Sequence, residues 1–338
     1  MMAQKMFFIF DIYLKFMKSH FFYLLLLFLF SCNQPKRNSV KCKKKPTNKD
    51  NLLQIQKNFS FGKITEYSVQ FRTIKNNNKF ITLRKFKDST SGQFFCLILD
   101  ITTLKTGIVK YDQLQFYEKI DYSSNKAFYF KLKRHVQNSL FKTHSGIYKV
   151  PFDGYIITMD LCPTVKHMDK DFFTFLVAQN ISPIYICISG KWIEKHKDEL
   201  AFIEKERGNC EIIWVNHSFS HSYSFFKKNE DNFMLDSKTD VNYEVIQNEI
   251  VMLENGILPS PFFRFPGLIS NESLTNKILS YGLIPMGSNA WLALGETIEK
   301  GSIVLLHLNG NEPIGLELFM DFYKKTNLNP VSLVDYNP

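Results

Sequence analysis

The sequence predicts an α/β protein with a parallel sheet, preceded by a smaller β-rich region. From about residue 150 onward, short apolar runs alternate with longer amphipathic segments, which is typical of repeated βα units. Between residues 52 and 148, β-branched and aromatic residues alternate with polar ones, which is typical of half-buried strands. The pattern allows the parallel sheet to be either open or closed into a barrel.

Basic charge is concentrated near the amino terminus. The chain of 338 residues has a net charge of +10, and residues 36–50 alone hold seven Lys or Arg side chains and one acidic side chain. A nucleic-acid-binding domain spreads its basic residues over a folded surface, so we predict no nucleic-acid partner.

The amino-terminal segment resembles an export signal. The apolar run FFYLLLLFLF (21–30) follows a lysine and is too short for a confident transmembrane helix. It ends in LFSC, which resembles the lipid-attachment box of bacterial lipoproteins and implies lipidation of Cys32. We expect a signal or lipoprotein segment (1–32), a basic linker (33–51) and a lipid-anchored protein of the bacterial cell envelope, on the periplasmic side of the outer or inner membrane. A plain signal anchor or uncleaved membrane tether is the alternative.

Residues 52–148 predict a small β-rich accessory domain. The turn-like sequences KNNNK and DSTSGQ separate its apolar runs and indicate antiparallel hairpins. The predicted strands are KITEYSVQFRTI (63–74), KFITLRKFK (79–87), GQFFCLILDIT (92–102) and KAFYFKLKRH (126–135). This region shows no group of catalytic side chains.

Residues 149–338 contain the repeated βα units. The predicted strands are YIITMD (155–160), SPIYICIS (182–189), EIIWVN (211–216), FFRF (262–265), SIVLLHLN (302–309) and PVSLVDY (330–336). The predicted helices are KDFFTFLVAQN (170–180), KWIEKHKDELAFIEKERG (191–208), VNYEVIQNEIVMLENG (241–256), NESLTNKILSYG (271–282) and GLELFMDFYKKTN (315–327). Asn271 is expected to cap the fourth helix and Gly282 to end it.

Polar side chains stand at the ends of four of these strands. They are Asp160, the pair His217 and His221, Arg264, and His307. Because the carboxyl ends of strands gather at one mouth of a βα barrel, these side chains should meet there. Two imidazoles four residues apart can bind one divalent ion, a carboxylate can take a proton from water, and a further histidine can protonate a leaving group. The set therefore predicts metal-assisted hydrolysis.

Purely structural roles for the same residues are the alternative interpretation. Each histidine can be a hydrogen-bonded structural residue, and Arg264 can be an ordinary ion-pair partner. Ser218 stands where the HExxH motif of zinc proteases requires a glutamate, which argues against peptide-bond hydrolysis. The remaining five cysteines have no zinc or disulfide spacing, so we expect most of them to be buried free thiols.

Five motifs, taken in order, resemble the polysaccharide deacetylase family, also called the NodB-homology or carbohydrate esterase family 4 domain. They are TMDLCP (158–163), NHSFSH (216–221), FRFPG (263–267), GSNAW (287–291) and IVLLH (303–307). The resemblance implies a NodB-like distorted (β/α) barrel over residues 149–338. The DLCP sequence is similar to a variant branch of that family.

The resemblance also implies a role for each matching residue. Asp160 would be the general base, held by Arg264, and His307 would be the general acid. His217 and His221 would bind a divalent metal, most often zinc in this family. The implied reaction is hydrolysis of an N-acetyl or O-acetyl group on a polysaccharide or an acetylated amino-sugar glycan.

Two further positions match the motifs, and several depart from them. The Gly267 N–H would stabilise the oxyanion, and Trp291 would line the acetyl pocket. Leu161 replaces the family's third metal ligand, so either the first-motif aspartate, Asp160, or another oxygen, with Asp169 as a candidate, would bind the metal. Asn289 replaces the aspartate that would tune the fifth-motif histidine. It can still hydrogen-bond that histidine but stabilises its charged form less well, and with Trp291 it is expected to bind substrate. Cys162 is expected to be a packing residue, with a soft metal ligand as the alternative.

These departures leave other functions open. The protein is either a deacetylase, a non-catalytic glycan-binding protein on a degenerate barrel, or a metal-dependent amidase acting on another acyl group.

Overall fold

The computed structural model describes residues 54–56, 59–75, 77–117, 125–138 and 145–335. The predicted signal segment (1–32) and basic linker (33–51) lie outside these residues. Among the helices described, none combines the length and the apolar character needed to cross a membrane.

A four-stranded antiparallel sheet forms the first part of the described chain. Its strands pair in the order of the sequence. They are β1 (Ile64–Thr73), β2 (Phe80–Asp88), β3 (Phe94–Asp100) and β4 (Thr106–Lys110). The first three were predicted, whereas β4 is a five-residue strand that was not singled out in the sequence.

The fourth predicted strand of this region is wrong. Residues of KAFYFKLKRH lie in helix α1 (Phe128–Asn138). Tyr129, Leu132 and Val136 are buried on one face of that helix, at the spacing of three and four residues that a helix requires. Apolar and polar residues of this run also alternate. A short segment of this kind therefore fits the two-residue period of a strand as well as the period of a helix.

A second sheet, which is entirely parallel, forms the rest of the structure. Its strands are β5 (Gly154–Leu161), β6 (Ile184–Ile188), β7 (Ile212–Asn216), β8 (Pro259–Phe263), β9 (Ile284–Pro285), β10 (Ala290–Trp291), β11 (Ile303–His307) and β12 (Asn329–Pro330). The order is β10-β11-β5-β6-β7-β8-β9, and β12 pairs with β5. The predicted last strand, PVSLVDY, is mostly wrong, because β12 ends at Pro330 and a 3₁₀ turn follows at Leu333–Asp335.

Residues 147–150 bridge edge strand β9 and the segment that leads into β11. The Ile147 N–H donates to the carbonyl of Pro285 at the end of β9, over 3.0 Å, and the Gly287 N–H donates to Ile147. The Val150 N–H donates to the carbonyl of Gly301, which lies just before β11, over 2.8 Å. The parallel sheet is curled into a half-barrel, which matches the distorted barrel that the motifs predicted.

Helices cover the outside of the barrel. They are α2 (Lys170–Ala178), α3 (Gly190–Lys195), α4 (Lys197–Glu206), α5 (Val241–Glu254), α6 (Glu272–Ser280) and α7 (Pro313–Lys325). The Asn271 side chain accepts a hydrogen bond from the Leu274 N–H and caps α6, as predicted. The segment predicted as one helix over 191–208 is two helices, α3 and α4, which meet at His196.

Side chains of the barrel strands alternate between two hydrophobic clusters. In β5, Tyr155, Ile157, Met159 and Leu161 pack into the cluster beneath the helices. Ile156 belongs instead to the cluster that fills the barrel interior and continues into the core of the four-stranded sheet. The two sheets therefore share one core within the compact unit Asn51–Pro338.

A buried ion pair fastens the four-stranded sheet to the barrel helices. Arg84 in β2 binds Glu249 in α5 through two hydrogen bonds of 2.6 and 2.7 Å, and neither side chain is more than 1% exposed. Arg84 also donates to the carbonyl of Tyr281, and the Tyr67 hydroxyl donates to Glu249. Every polar atom of the pair thus has a partner, which is the condition for burying two charges.

The four-stranded sheet also contacts the amino-terminal ends of barrel strands. The Thr106 hydroxyl donates to the carbonyl of Pro259, the first residue of β8, over 2.7 Å. Lys105 pairs with Glu211, the residue before β7, at 2.9 Å. These contacts lie at the end of the strands opposite to the carboxyl ends that form the mouth of the barrel.

We expect the substitution Arg84→Met to lower the free energy of unfolding by about 3–5 kcal/mol, because it leaves the Glu249 carboxylate buried without its cation. The double substitution Arg84→Met, Glu249→Leu should recover most of that loss. Urea unfolding measures both. The control is Lys87→Met, which removes the exposed pair with Glu66 and should cost under about 1 kcal/mol. Equal losses for Arg84→Met and Lys87→Met would contradict the assignment.

Candidate functional site

The predicted site residues meet at the carboxyl ends of adjacent strands. Asp160 near the end of β5 and His307 at the end of β11 are register partners in the parallel sheet. His217 directly follows β7, and Arg264 directly follows β8. All four side chains are buried, Arg264 and His217 completely. The order of the parallel strands therefore brings these distant segments to one mouth, as the sequence pattern predicted.

Arg264 holds the centre of this mouth together. Its guanidinium donates to the Thr158 hydroxyl over 2.8 Å and to the Met286 carbonyl over 2.8 Å. It also reaches Asp160 Oδ1 at 3.4 Å and the Gly287 carbonyl at 3.3 Å. The cation thus binds β5 to the segment after β9, and its geometry fixes where the Asp160 carboxylate points.

The main chain of Arg264 fixes the tautomer of His217. The Arg264 carbonyl lies 2.9 Å from His217 Nδ1, and a carbonyl oxygen can only accept, so Nδ1 carries the proton. Nε2 of the neutral ring then presents a lone pair to the site. This is the arrangement by which proteins orient a metal-binding imidazole.

Three potential ligand atoms surround that lone pair. His221 Nε2 lies 3.1 Å from His217 Nε2, Cys162 Sγ lies 3.6 Å from it, and Asp160 Oδ2 lies 3.4 Å from it. His221 is half-buried and adopts a positive φ of 47°. The predicted histidine pair is therefore brought together, and a thiol joins it that was expected to serve packing.

His307 belongs to a hydrogen-bonded row at the other side of Asp160. Its Nδ1 lies 2.8 Å from Glu312 Oε2, and the Trp291 indole N–H donates to the same oxygen over 2.8 Å. The rings of Trp291 and His307 lie 5.6 Å apart between centroids. Because the carboxylate accepts from Nδ1, His307 has its Nε2 left for other partners.

Glu312 was missed in the sequence, and Asn289 bonds to groups other than His307. Asn289 Oδ1 accepts from the Ile303 N–H over 3.0 Å and its amide approaches the Ser302 hydroxyl, so it fixes the start of β11. The carboxylate beside His307 is supplied by Glu312 instead. The one signal for Glu312 in the sequence is its position five residues after His307 and directly before α7.

Asp169 and Gly267 lie at turns. Asp169 caps α2, where its carboxylate accepts from the Phe172 N–H over 2.8 Å, and it is not among the metal-ligating side chains that converge in the described chain. Gly267 follows Arg264 in a 3₁₀ turn with a φ of 63°. A Cβ atom there would lie 2.7 Å from the Tyr223 ring, so both the conformation and the space favour glycine.

The electrostatics of the site keep Asp160 ionised. Burial alone would raise the pKa of this carboxyl, but the Arg264 guanidinium, His217, His307 and a hydrogen bond from the Cys187 thiol together hold the pKa below its usual value. Asp160 is thus an anion in a buried setting and able to accept a proton.

The histidine pair is kept neutral. Burial, partly offset by the Asp160 carboxylate, lowers the pKa of His217 to about 4. Burial and the neighbouring His217 lower the pKa of His221 well below its usual value. Neutral imidazoles are the form that binds metal ions.

These side chains fit a divalent transition metal. The possible ligand atoms of Cys162, His217 and His221 all lie within 4.8 Å of one another, and so do those of Asp160, Cys162 and His307. Imidazole nitrogen, thiol sulfur and a carboxylate oxygen are the donors that zinc and similar ions prefer. Burial and nearby Asp160 raise the pKa of the Cys162 thiol in the metal-free chain, so this group becomes a ligand only by losing its proton to a cation.

Comparison with known proteins finds distant structural relatives. No family model matches the sequence. A family 4 carbohydrate esterase from Bacillus anthracis is 19% identical, with 60% of this chain and 91% of that chain covered and a TM-score of 0.44. PdaA of Bacillus subtilis, a family 4 carbohydrate esterase, is 17% identical, with 60% and 88% covered and a TM-score of 0.43. A family 4 pseudoenzyme from Bacillus anthracis is 13% identical, with 56% and 68% covered and a TM-score of 0.40.

The low pKa of His217 predicts acid sensitivity of the metal-free protein. The unfolded chain protonates this histidine near its ordinary pKa of 6.5, whereas the folded chain does so only at about pH 4. Stability should therefore fall as the pH drops through this window, by on the order of 3 kcal/mol from this group.

Urea unfolding of chelator-treated protein between pH 7 and pH 4 measures this loss. The substitution His217→Asn should make the pH dependence shallower. The control Lys191→Gln alters an exposed side chain and should leave the slope unchanged. A His217→Asn variant with the same slope as the parent would contradict the prediction.

Proposed function

We propose that this protein is a metal-dependent hydrolase that removes N-acetyl or O-acetyl groups from a polysaccharide. One observation carries the proposal: the buried Asp160 carboxylate lies between the His217–His221 pair on one side and His307 on the other. A base, a metal-binding pair and a proton donor around one point are the parts that acyl-transfer hydrolysis needs.

The histidine pair would hold the metal, together with a further ligand from the strand end at residues 160–162. A bound divalent ion polarises a carbonyl oxygen and lowers the pKa of water. His217 is oriented for this chemistry by the Arg264 carbonyl, and Asp160 by the Arg264 guanidinium. Zinc fits the donor set, and other ions of similar preference fit it as well.

Asp160 is assigned the role of general base. It accepts a proton from the attacking water while Arg264 keeps it oriented and ionised. The carbonyl oxygen gains negative charge as the water attacks, and the Gly267 N–H is assigned to stabilise it.

His307 is assigned the role of general acid. Glu312 holds Nδ1–H, so a second proton on Nε2 can be given to the leaving amine or alcohol oxygen. The negative charge of Glu312 stabilises the imidazolium that exists before this transfer. Trp291, fixed to the same carboxylate, is assigned to one wall of the acetyl pocket.

Two other functions remain as outcomes of the same experiment. Leu161 and Asn289 depart from the family pattern, which favours a glycan-binding protein without turnover as the second candidate. A metal-dependent amidase for another acyl group is the third. The proposed location is the cell envelope, with a lipid on Cys32 and a glycan as the partner.

The test is acetate release from acetylated chito-oligosaccharides by the metal-loaded protein. We expect release that stops on chelation and returns when metal is restored. The substitution Asp160→Asn should reduce kcat by at least about 100-fold with the fold retained by circular dichroism, because the base is lost. Binding of the oligosaccharide without acetate release would establish the binding protein, and release of a different acid from other acylated sugars would establish the amidase.

The substitution Glu312→Gln should reduce kcat roughly 10-fold or more and change KM little, because the His307 imidazolium loses its counter-charge while the substrate contacts remain. Steady-state kinetics on the same oligosaccharides measure this. Glu317→Gln, on the exposed surface of α7, is the matched control and should leave kcat unchanged. Full activity of Glu312→Gln would show that Glu312 does not assist His307 as the general acid.

A further inference from the structure

We propose that the Cys162 thiolate is a protein ligand of the metal and takes the place of the acidic residue that family resemblance puts at position 161. The inference rests on the proposed metal-binding function and names the third ligand of that same site. It takes up the alternative that the sequence left open for Cys162, in place of the expected packing role and of an oxygen of Asp160 or Asp169 as the third ligand.

The direction of the side chains at the end of β5 supports this ligand. Leu161 is fully buried in the hydrophobic cluster between the barrel and its helices, so its position faces away from the mouth. Residues two apart on a strand share a face, and Cys162 therefore follows Asp160 to the side on which the histidines lie. The ligand-bearing position at this strand end is then 162 rather than 161.

Cys162 also differs from the other cysteines of the described chain. Cys96, Cys187 and Cys210 each pack into a hydrophobic cluster. Cys162 is as buried as Cys210, at 8% exposure, but it belongs to none of these clusters. Its sulfur lies instead 3.6 Å from a ring nitrogen of His217. A thiol that serves packing would be expected among apolar neighbours.

The distances agree with a shared cation. Zinc binds sulfur at about 2.3 Å and imidazole nitrogen at about 2.0–2.1 Å, and tetrahedral angles then put the two ligand atoms about 3.5 Å apart. The observed separation between Cys162 Sγ and His217 Nε2 is 3.6 Å. The same reasoning gives about 3.3 Å between two imidazole nitrogens, and the observed value for His217 and His221 is 3.1 Å.

The backbone that carries Cys162 is held on both sides. The Asn309 amide, which is completely buried, donates to the Cys162 carbonyl over 3.1 Å. The Ser189 hydroxyl donates to the Leu161 carbonyl over 3.0 Å. A ligand on a fixed strand end is already oriented before the ion binds, which lowers the cost of forming the site.

A thiolate ligand selects the metal. Sulfur favours zinc and cobalt over magnesium and manganese, which prefer oxygen ligands. We therefore expect the site to bind Zn²⁺ and Co²⁺ and to discriminate against Mg²⁺ and Mn²⁺. Thiol oxidants should also inactivate this metal site when they are added to the metal-free protein.

The test is optical titration of the full-length, metal-free protein with Co²⁺. A cysteine ligand gives a sulfur-to-cobalt charge-transfer band in the near ultraviolet, with one ion bound per chain at saturation. The band should be absent from Cys162→Ser, with affinity for Co²⁺ reduced at least roughly 100-fold. Cys162→Asp should keep an ion through oxygen, lose the band and bind Mn²⁺ better than the parent does.

Two variants serve as controls. Cys96→Ala removes a buried thiol of the four-stranded sheet and should leave the band unchanged. His217→Asn should weaken the band together with the affinity, which separates this site from stray binding by other thiols. Bound Co²⁺ without the band, or a band that survives Cys162→Ser, would overturn the inference while leaving metal-dependent deacetylation intact. A normal band without acetate release would overturn the proposed function and leave Cys162 as a ligand.

Discussion

The buried guanidinium of Arg264 is the constraint on which the mouth of the barrel depends. A buried cation must have its donors satisfied, and Arg264 meets this need with Thr158 and Asp160 on β5 and with two carbonyls after β9. These partners come from segments far apart in the chain. Its own carbonyl then sets the ring of His217. One residue therefore orients both the Asp160 carboxylate and the His217 imidazole.

Much of this arrangement was predictable, because strand ends and histidine spacing are local properties of the sequence. Asp160, His217, His221, Arg264 and His307 were all singled out from position alone, and the structure brings them together. Parallel strand order supplies the rest, since each strand end of a βα unit must lie at the same rim.

What escaped prediction depends on contacts between distant segments. Glu312 matters only because folding places Trp291 against the same carboxylate oxygen as His307. Helix α1 was mistaken for a strand because its apolar residues fit both periods, and burial decides between them. The 3.6 Å approach of the Cys162 thiol to His217 likewise joins segments that lie 55 residues apart.

Trp291 has a consequence for spectroscopy. Its indole shares a carboxylate with His307 and lies 5.6 Å from that ring, whereas Trp192 stacks on His196 and Trp214 is a buried residue of β7. A charged imidazole at such a distance quenches indole emission. Once the Trp192 indole that stacks on His196 is replaced, the fluorescence of Trp291 is a built-in optical reporter of the ionisation of its own histidine neighbour, without an added dye.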